Sequence, residues 1–178
     1  MKKRIDGLKL QKQLQDEWCW SAVTTSLDRF LDGASSLTQC KTVSNELHHL
    51  CCGELAGEQL KRCNQTNTLH EPLDHLGWLA QPPIREPLRL QAVRREIDAG
   101  RPVCCYIRWR NSLNGHFVAI TGYESDSHDV FVDDPLFPPD WRDYDRFSSH
   151  AEGDGYRHGK GIWFASFLLN SRRRVAGS

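Results

Sequence analysis

Apolar positions recur at helical spacing along the first half of the chain and gather into strand-like runs along the second. Val23, Leu27 and Phe30 share a face with Cys19, which predicts a helix opening near Cys19 and stopping at Gly33. Asp16 stands where an N-cap would, and that would put Cys19 in the first turn. Leu37, Cys40, Val43, Leu47 and Leu50 fall close to the helical period, so a second helix is expected, capped by Ser36 or Thr38 and ended by Cys51-Cys52-Gly53. The polar stretch 54–68 reads as a loop, and a short helix is expected over 72–77, with a proline near its start. Residues 90–99 form a stronger helix, with Val93 and Ile97 inward, Gly100 as its stop and Pro102 beyond. Residues 5–16 read as an extended lead-in, and Pro82-Pro83 with Pro87 as an extended connector.

The texture changes at Val103. Residues 103–109, 116–123, 130–133 and 162–169 are β-rich runs separated by turn residues such as Asn114-Gly115. Helices first and strands afterwards is the pattern of an α+β fold, here an N-terminal helical part packed on a C-terminal antiparallel sheet. Neither an internal repeat nor a low-complexity linker interrupts the chain. One domain is expected over 1–178, with its core over about 10–170.

The length of 178 residues suits a single core and is short for two. Lys plus Arg and Asp plus Glu each number 23, so no net charge steers the chain toward nucleic acid or an anionic membrane. Arg172-Arg173-Arg174 reads as a solvated tail, and no apolar run reaches the length of a membrane span. Met1-Lys2-Lys3-Arg4 carries the charges of a signal peptide, but no apolar segment follows. The expectation is a soluble monomer made in the cytoplasm, with any export by a non-classical route.

The chemistry starts at Glu17-Trp18-Cys19-Trp20-Ser21. A thiol at a helix N-terminus meets unpaired N–H groups and the positive end of the helix dipole, both of which favour the thiolate. Taken alone, Cys19 has as its commoner fate that of a buried core thiol. Two further stretches change the balance. Gly115-His116 opens an apolar strand, and Asp133-Asp134-Pro135 closes the next one. A hairpin would bring the start of the first strand beside the end of the second, so a carboxylate can hold the imidazole in one tautomer. Asp134 is the expected partner, because Asp133 should point to the opposite face of its strand. Trp18 and Trp20 divide between core and cleft on the same alternation. Ser21 lacks the glycine-flanked elbow of a serine nucleophile.

Trp18-Cys19-Trp20 with Ala22, Gln13 ahead of it, Gly115-His116 and Asp134-Pro135 together resemble the papain-like bacterial cysteine peptidases. The likeness is strongest to the plant-pathogen effector proteases and more distant to the double-glycine leader peptidases. It runs from about Gln13 to Trp163 and takes in Leu37-Thr38-Gln39-Cys40, Cys51-Cys52, Cys63-Asn64, Ile107-Arg108-Trp109 and Gly161 with Trp163. The resemblance implies a papain-like fold, with Cys19 as nucleophile, His116 as general base and acid, and Asp134 as the group that orients it. It makes Gln13 the side-chain donor to the oxyanion, with Gln15 as the fallback, and it implies a protein or peptide substrate. An acyl transferase or deamidase of transglutaminase type on the same residues, and an inactive binding module, are the alternatives.

Seven cysteines suit one free thiol plus pairs, or no disulfide at all. Cys40, Cys51, Cys52 and Cys63 allow three pairings, and the spacing does not choose among them. With His48 and His49 they match no usual structural zinc pattern, so no metal and no cofactor is expected. The resemblance favours a structural role for the four. Cys104 and Cys105 read as buried packing residues on opposite faces of a strand. His70, His75, His128, His150 and His158 read as surface or structural.

Overall fold

The first long helix of the chain is buried on nearly every side. In this computed structural model, which describes residues 1–112 and 114–171, α1 (Cys19–Leu31) exposes only Arg29. The tripeptide Arg172-Arg173-Arg174 lies outside the described residues. A buried helix rich in Ser and Thr must satisfy its hydroxyls, and it does so locally. Ser21 donates to Gln39 O, Thr24 to Trp20 O and Ser26 to Ala22 O, while Thr25 pairs with Thr42. The small side chains let α2 (Gln39–Leu47) lie close against α1.

Around α1 the chain runs through α3 (Gly57–Cys63), α4 (His70–His75) and α5 (Leu90–Asp98) into a sheet. Its strands are β1 (Lys2–Arg4), β2 (Val103–Trp109), β3 (Gly115–Glu124), β4 (Asp129–Asp133), β5 (Asp140–Asp143) and β6 (Gly161–Phe167), with α6 (Tyr144–Ser148) between the last two. The order is β5-β4-β3-β2-β6, and every pairing is antiparallel. Strand β1 takes over the edge of β3 that β2 leaves, pairing with Gly122, Tyr123 and Glu124. Both α1 and α5 pack on β3, which explains its unbroken buried run from His116 to Gly122. Among the described residues no helix is long and apolar enough to cross a membrane.

The α+β expectation holds, and β2 begins and ends where the sequence places it. Several local expectations are corrected. Trp18, not Asp16, is the N-cap of α1, and it makes no side-chain cap bond. The segment before it is already turned by Trp18 N–H donating to Gln15 O at 3.1 Å. Of the two candidate caps for α2, Thr38 is the one used, accepting Lys41 N–H at 3.4 Å. That helix ends at His48 in the left-handed conformation (φ 55°), ahead of Cys51-Cys52-Gly53. The stretch read as a loop contains α3. This helix has little apolar stripe, but Glu58 in its first turn and Lys61 and Arg62 in its last suit the helix dipole.

A disulfide is what anchors α3. Cys51 pairs with Cys63 and Cys40 with Cys52, so two bridges tie α2, the connecting loop and α3 together. Paired in this way, the four cysteines are not thiolate ligands for a metal. Peptide mapping of the unreduced protein should recover these two linkages and neither alternative. Removing the Cys51–Cys63 bridge by Cys51→Ser with Cys63→Ser should lower unfolding stability by roughly 2–4 kcal/mol, read from urea denaturation.

Candidate active site

Cys19 is the first residue of α1, and its position is set from outside the helix. Trp18 Nε1–H donates to Cys63 O at 2.8 Å, and Trp20 Nε1–H to Gln65 O at 3.0 Å. Glu17 N–H donates to Asn64 Oδ1 at 2.9 Å. Three consecutive residues, 63–65, therefore grip the chain on both sides of the cysteine. The first of them is covalently tied to Cys51. Both tryptophans are buried. Trp18 belongs to the core, whereas Trp20 also lines the cleft.

His116 enters from the start of β3, one residue after Gly115. A Cβ on Gly115 would sit 2.2 Å from Tyr106 Cε2 and 2.5 Å from Ile107 O, so no side chain fits there. The imidazole is 3% exposed and walled by aromatic rings. Trp109 stacks at 6.0 Å and 16°, and Phe137 meets it edge-on at 6.1 Å. Its Nε2–H donates to Asp134 Oδ1 at 2.8 Å. Nδ1 is the ring nitrogen left over, and Cys19 lies near enough for its sulfur to raise the imidazole pKa.

Asp134 follows the last residue of β4, and Pro135 stops the ladder there. Its carboxylate is buried. Oδ1 also accepts Leu136 N–H at 2.7 Å and Phe137 N–H at 3.0 Å, and Oδ2 accepts the Tyr156 hydroxyl. Asp133 faces the other way and accepts Leu10 N–H at 3.4 Å. Burial alone would push the His116 imidazole down, but its bonds to Asp134 and Cys19 outweigh it and raise the pKa to about 9. Burial would likewise raise Asp134, yet the bonds from His116, Tyr156 and Leu136 N–H hold it below the ordinary carboxylate range.

The structure thus brings Cys19, His116 and Asp134 together. Gln13 lies close by in sequence, but its Nε2 donates to Gln15 O at 3.0 Å and to Asp16 O at 2.6 Å, so both amide hydrogens are engaged. Its Oε1 is buried without a partner among the described residues. Tyr156 escaped sequence reasoning. The faint signal is the run Gly153, Gly155 and Gly159, whose positive φ values bend the segment that delivers the tyrosine. His70 lines a cleft of about 580 Å³ beside Cys19, together with Trp20, Tyr106, Gly115, Phe117 and Phe167. The other free thiols are excluded from chemistry of this kind. Cys104 and Cys105 are wholly buried, and burial pushes the Cys104 thiol up to about 12 and Cys105 well above its ordinary value.

The model of the Peptidase_C39 like family matches residues 5–158. The chain belongs to this family. The matched span encloses Cys19, His116, Asp134 and Tyr156 alike. A search of the curated proteins found no match to the sequence. Among solved structures, the C39-like chain is similar to the peptidase domain of Streptococcus ComA, titled a bi-functional ABC transporter involved in a quorum-sensing pathway. The two share a TM-score of 0.58 at 16% identity, over 92% of this chain and 99% of that one. At that identity the likeness establishes the fold, which is papain-like α+β. The C39-like chain is a cysteine peptidase, as the resemblance of its motifs implies.

The two pKa shifts fix a pH window. A histidine raised above its unfolded value of about 6.5 stabilises the fold fully below that pH and loses the contribution as pH rises through about 9. An aspartate held low contributes above about 3.9 and loses its contribution as pH falls. Urea stability should therefore decline as pH rises through about 9, and His116→Ala should abolish that decline. A wild-type stability that stays flat across that pH would contradict a buried, protonated imidazole.

Proposed function

We propose that this C39-like peptidase cleaves peptide bonds through a thioester on Cys19. The observation that carries the reading is the His116–Asp134 pair, hydrogen-bonded at 2.8 Å, with Cys19 near enough to raise the imidazole pKa and lining a cleft. The Cys19 sulfur attacks the scissile carbonyl carbon, and the carbonyl electron pair moves to the oxygen. As that intermediate collapses, the C–N bond breaks and His116 Nδ1–H gives its proton to the leaving amine. A water then loses a proton to His116 and attacks the thioester, releasing the carboxylic acid and restoring the thiolate–imidazolium pair. Asp134 holds Nε2–H throughout, so Nδ1 always faces the sulfur.

The oxyanion needs donors where its charge develops. The backbone N–H of Cys19, at the first position of α1, has no acceptor within the helix and is the first of them. Gln13 is the second in this mechanism, and it must turn its amide away from Gln15 O and Asp16 O to serve. The partnerless Oε1 supports that step, because a buried orphan acceptor leaves the resting orientation poorly satisfied. The substrate is a protein or peptide, with its acyl side lying in the cleft that Trp20, Phe117 and Phe167 line.

Cys19→Ala should abolish both turnover and labelling by an electrophilic peptide probe, with thermal unfolding little changed. Turnover surviving in that variant, or label moving to Cys104 or Cys105, would sink the assignment. Gln13→Ala should lower kcat by about 100-fold with KM nearly constant, the usual cost of one oxyanion donor. A drop in melting temperature with kcat intact would make Gln13 a brace of its own turn and nothing more.

A further inference from the structure

We propose that Tyr156 is a positioning residue of this active site, holding the second oxygen of Asp134 so that the first stays aimed at His116. The proposal rests on the reading of Asp134 as the orienting carboxylate. Oδ1 takes three donors, the His116 imidazole and the N–H groups of Leu136 and Phe137, and it is saturated by them. Oδ2 takes the Tyr156 hydroxyl. Without that fourth donor, a buried carboxylate oxygen would be left bare, and the group could turn about its terminal bond to share His116 between its two oxygens.

Tyr156 is built to stay where it is. It is 1% exposed, and its backbone closes a two-way bridge with Gly161, N–H to O at 2.8 Å and O to N–H at 3.1 Å. The preceding Gly155 has φ +99°, and a Cβ there would meet Gly161 O at 2.4 Å, so the approach requires glycine. The phenol ring lies 6.4 Å from the His116 ring at 30°, and between Trp109 at 6.1 Å and Phe147 at 6.1 Å. The Arg142 guanidinium covers it at 5.3 Å. One side chain thus touches both members of the buried pair, its hydroxyl on the carboxylate and its ring on the imidazole. Burial and the negative charge of Asp134 raise the phenol pKa, so the hydroxyl remains a donor over the working range of the enzyme.

The test is Tyr156→Phe in the full chain, alone and combined with Asp134→Asn, measured as kcat, KM and the pH profile of kcat/KM. Asp134→Asn alone should lower kcat by orders of magnitude. Tyr156→Phe should lower kcat about tenfold, as the loss of one hydrogen bond to a charged group does, with KM within about twofold. Losing a donor to the ionised form raises the pKa of Asp134, so the acid limb of the profile should move to higher pH. In the Asp134→Asn background the tyrosine substitution should add nothing further, because its partner is already altered. An unchanged kcat, losses that multiply in the double variant, or an unmoved acid limb would each overturn the proposal. If Asp134→Asn itself has no effect, the reading of the triad fails instead. Should Tyr156→Phe not fold, placing 3,5-difluorotyrosine at position 156 keeps the ring and sharpens the donor. The acid limb should then move to lower pH, and an unmoved limb would again overturn the proposal.

Discussion

A carboxylate carried out of water must be met by donors or lose its charge, and Asp134 is where this chain meets that demand. Four donors come from three places: the start of β3, the turn after Pro135 with two N–H groups, and a tyrosine from the glycine-rich segment before β6. Each of these is a point where the backbone departs from regular structure. Pro135 ends the β3–β4 ladder at the residue where the side chain must turn to His116, and Gly155 opens the path for Tyr156. The sheet supplies the platform, and the satisfaction of one buried charge explains how its upper edge is finished.

Cys19, the proposed nucleophile, is held on a different principle. No side-chain cap bond fixes the start of α1; the two indoles that flank Cys19 donate instead to the carbonyls of Cys63 and Gln65. Those residues follow a short helix whose own apolar contribution is slight, and the Cys51–Cys63 bridge fastens it. Because Thr66, Asn67, Thr68 and His70 continue from that grip into the cleft wall, the disulfide braces two things at once, the helix start that carries Cys19 and one side of the cleft beside it.

What was legible in the sequence is what local rules control. Residues 103–109 and the helix ended by Gly100 are written in apolar runs and in glycine and proline punctuation, and both fall where expected. The partnership of His116 with Asp134 rather than Asp133 follows from the alternation of side chains along a strand. Other features answer to contacts far off in sequence. α3 has almost no stripe because a bridge does the anchoring, and β5 is a polar edge strand that shows no alternation. Tyr156 carries no period at all: its meaning lies in an oxygen 22 residues away. The pairing of four clustered cysteines likewise has three arithmetical solutions, and only the packing of α2 against α3 selects one.

The separation of Cys19 from His116 is a packing quantity, since one sits on α1 and the other on β3, 97 positions further along the chain. The helix lies against the strand with small hydroxyl residues at its other contacts, each satisfied within the protein, so it has little freedom to slide. The same packing sorts the thiols. Cys104 and Cys105, on the strand beside β3, are sealed from water and disfavoured as thiolates, while the four cysteines near α3 are consumed in bridges. Cys19 alone combines a free sulfur, a helix start and a histidine within reach at a cleft. Of the seven cysteines, Cys19 is thus the one whose placement fits the proposed nucleophile, because the fold buries or bridges the other six.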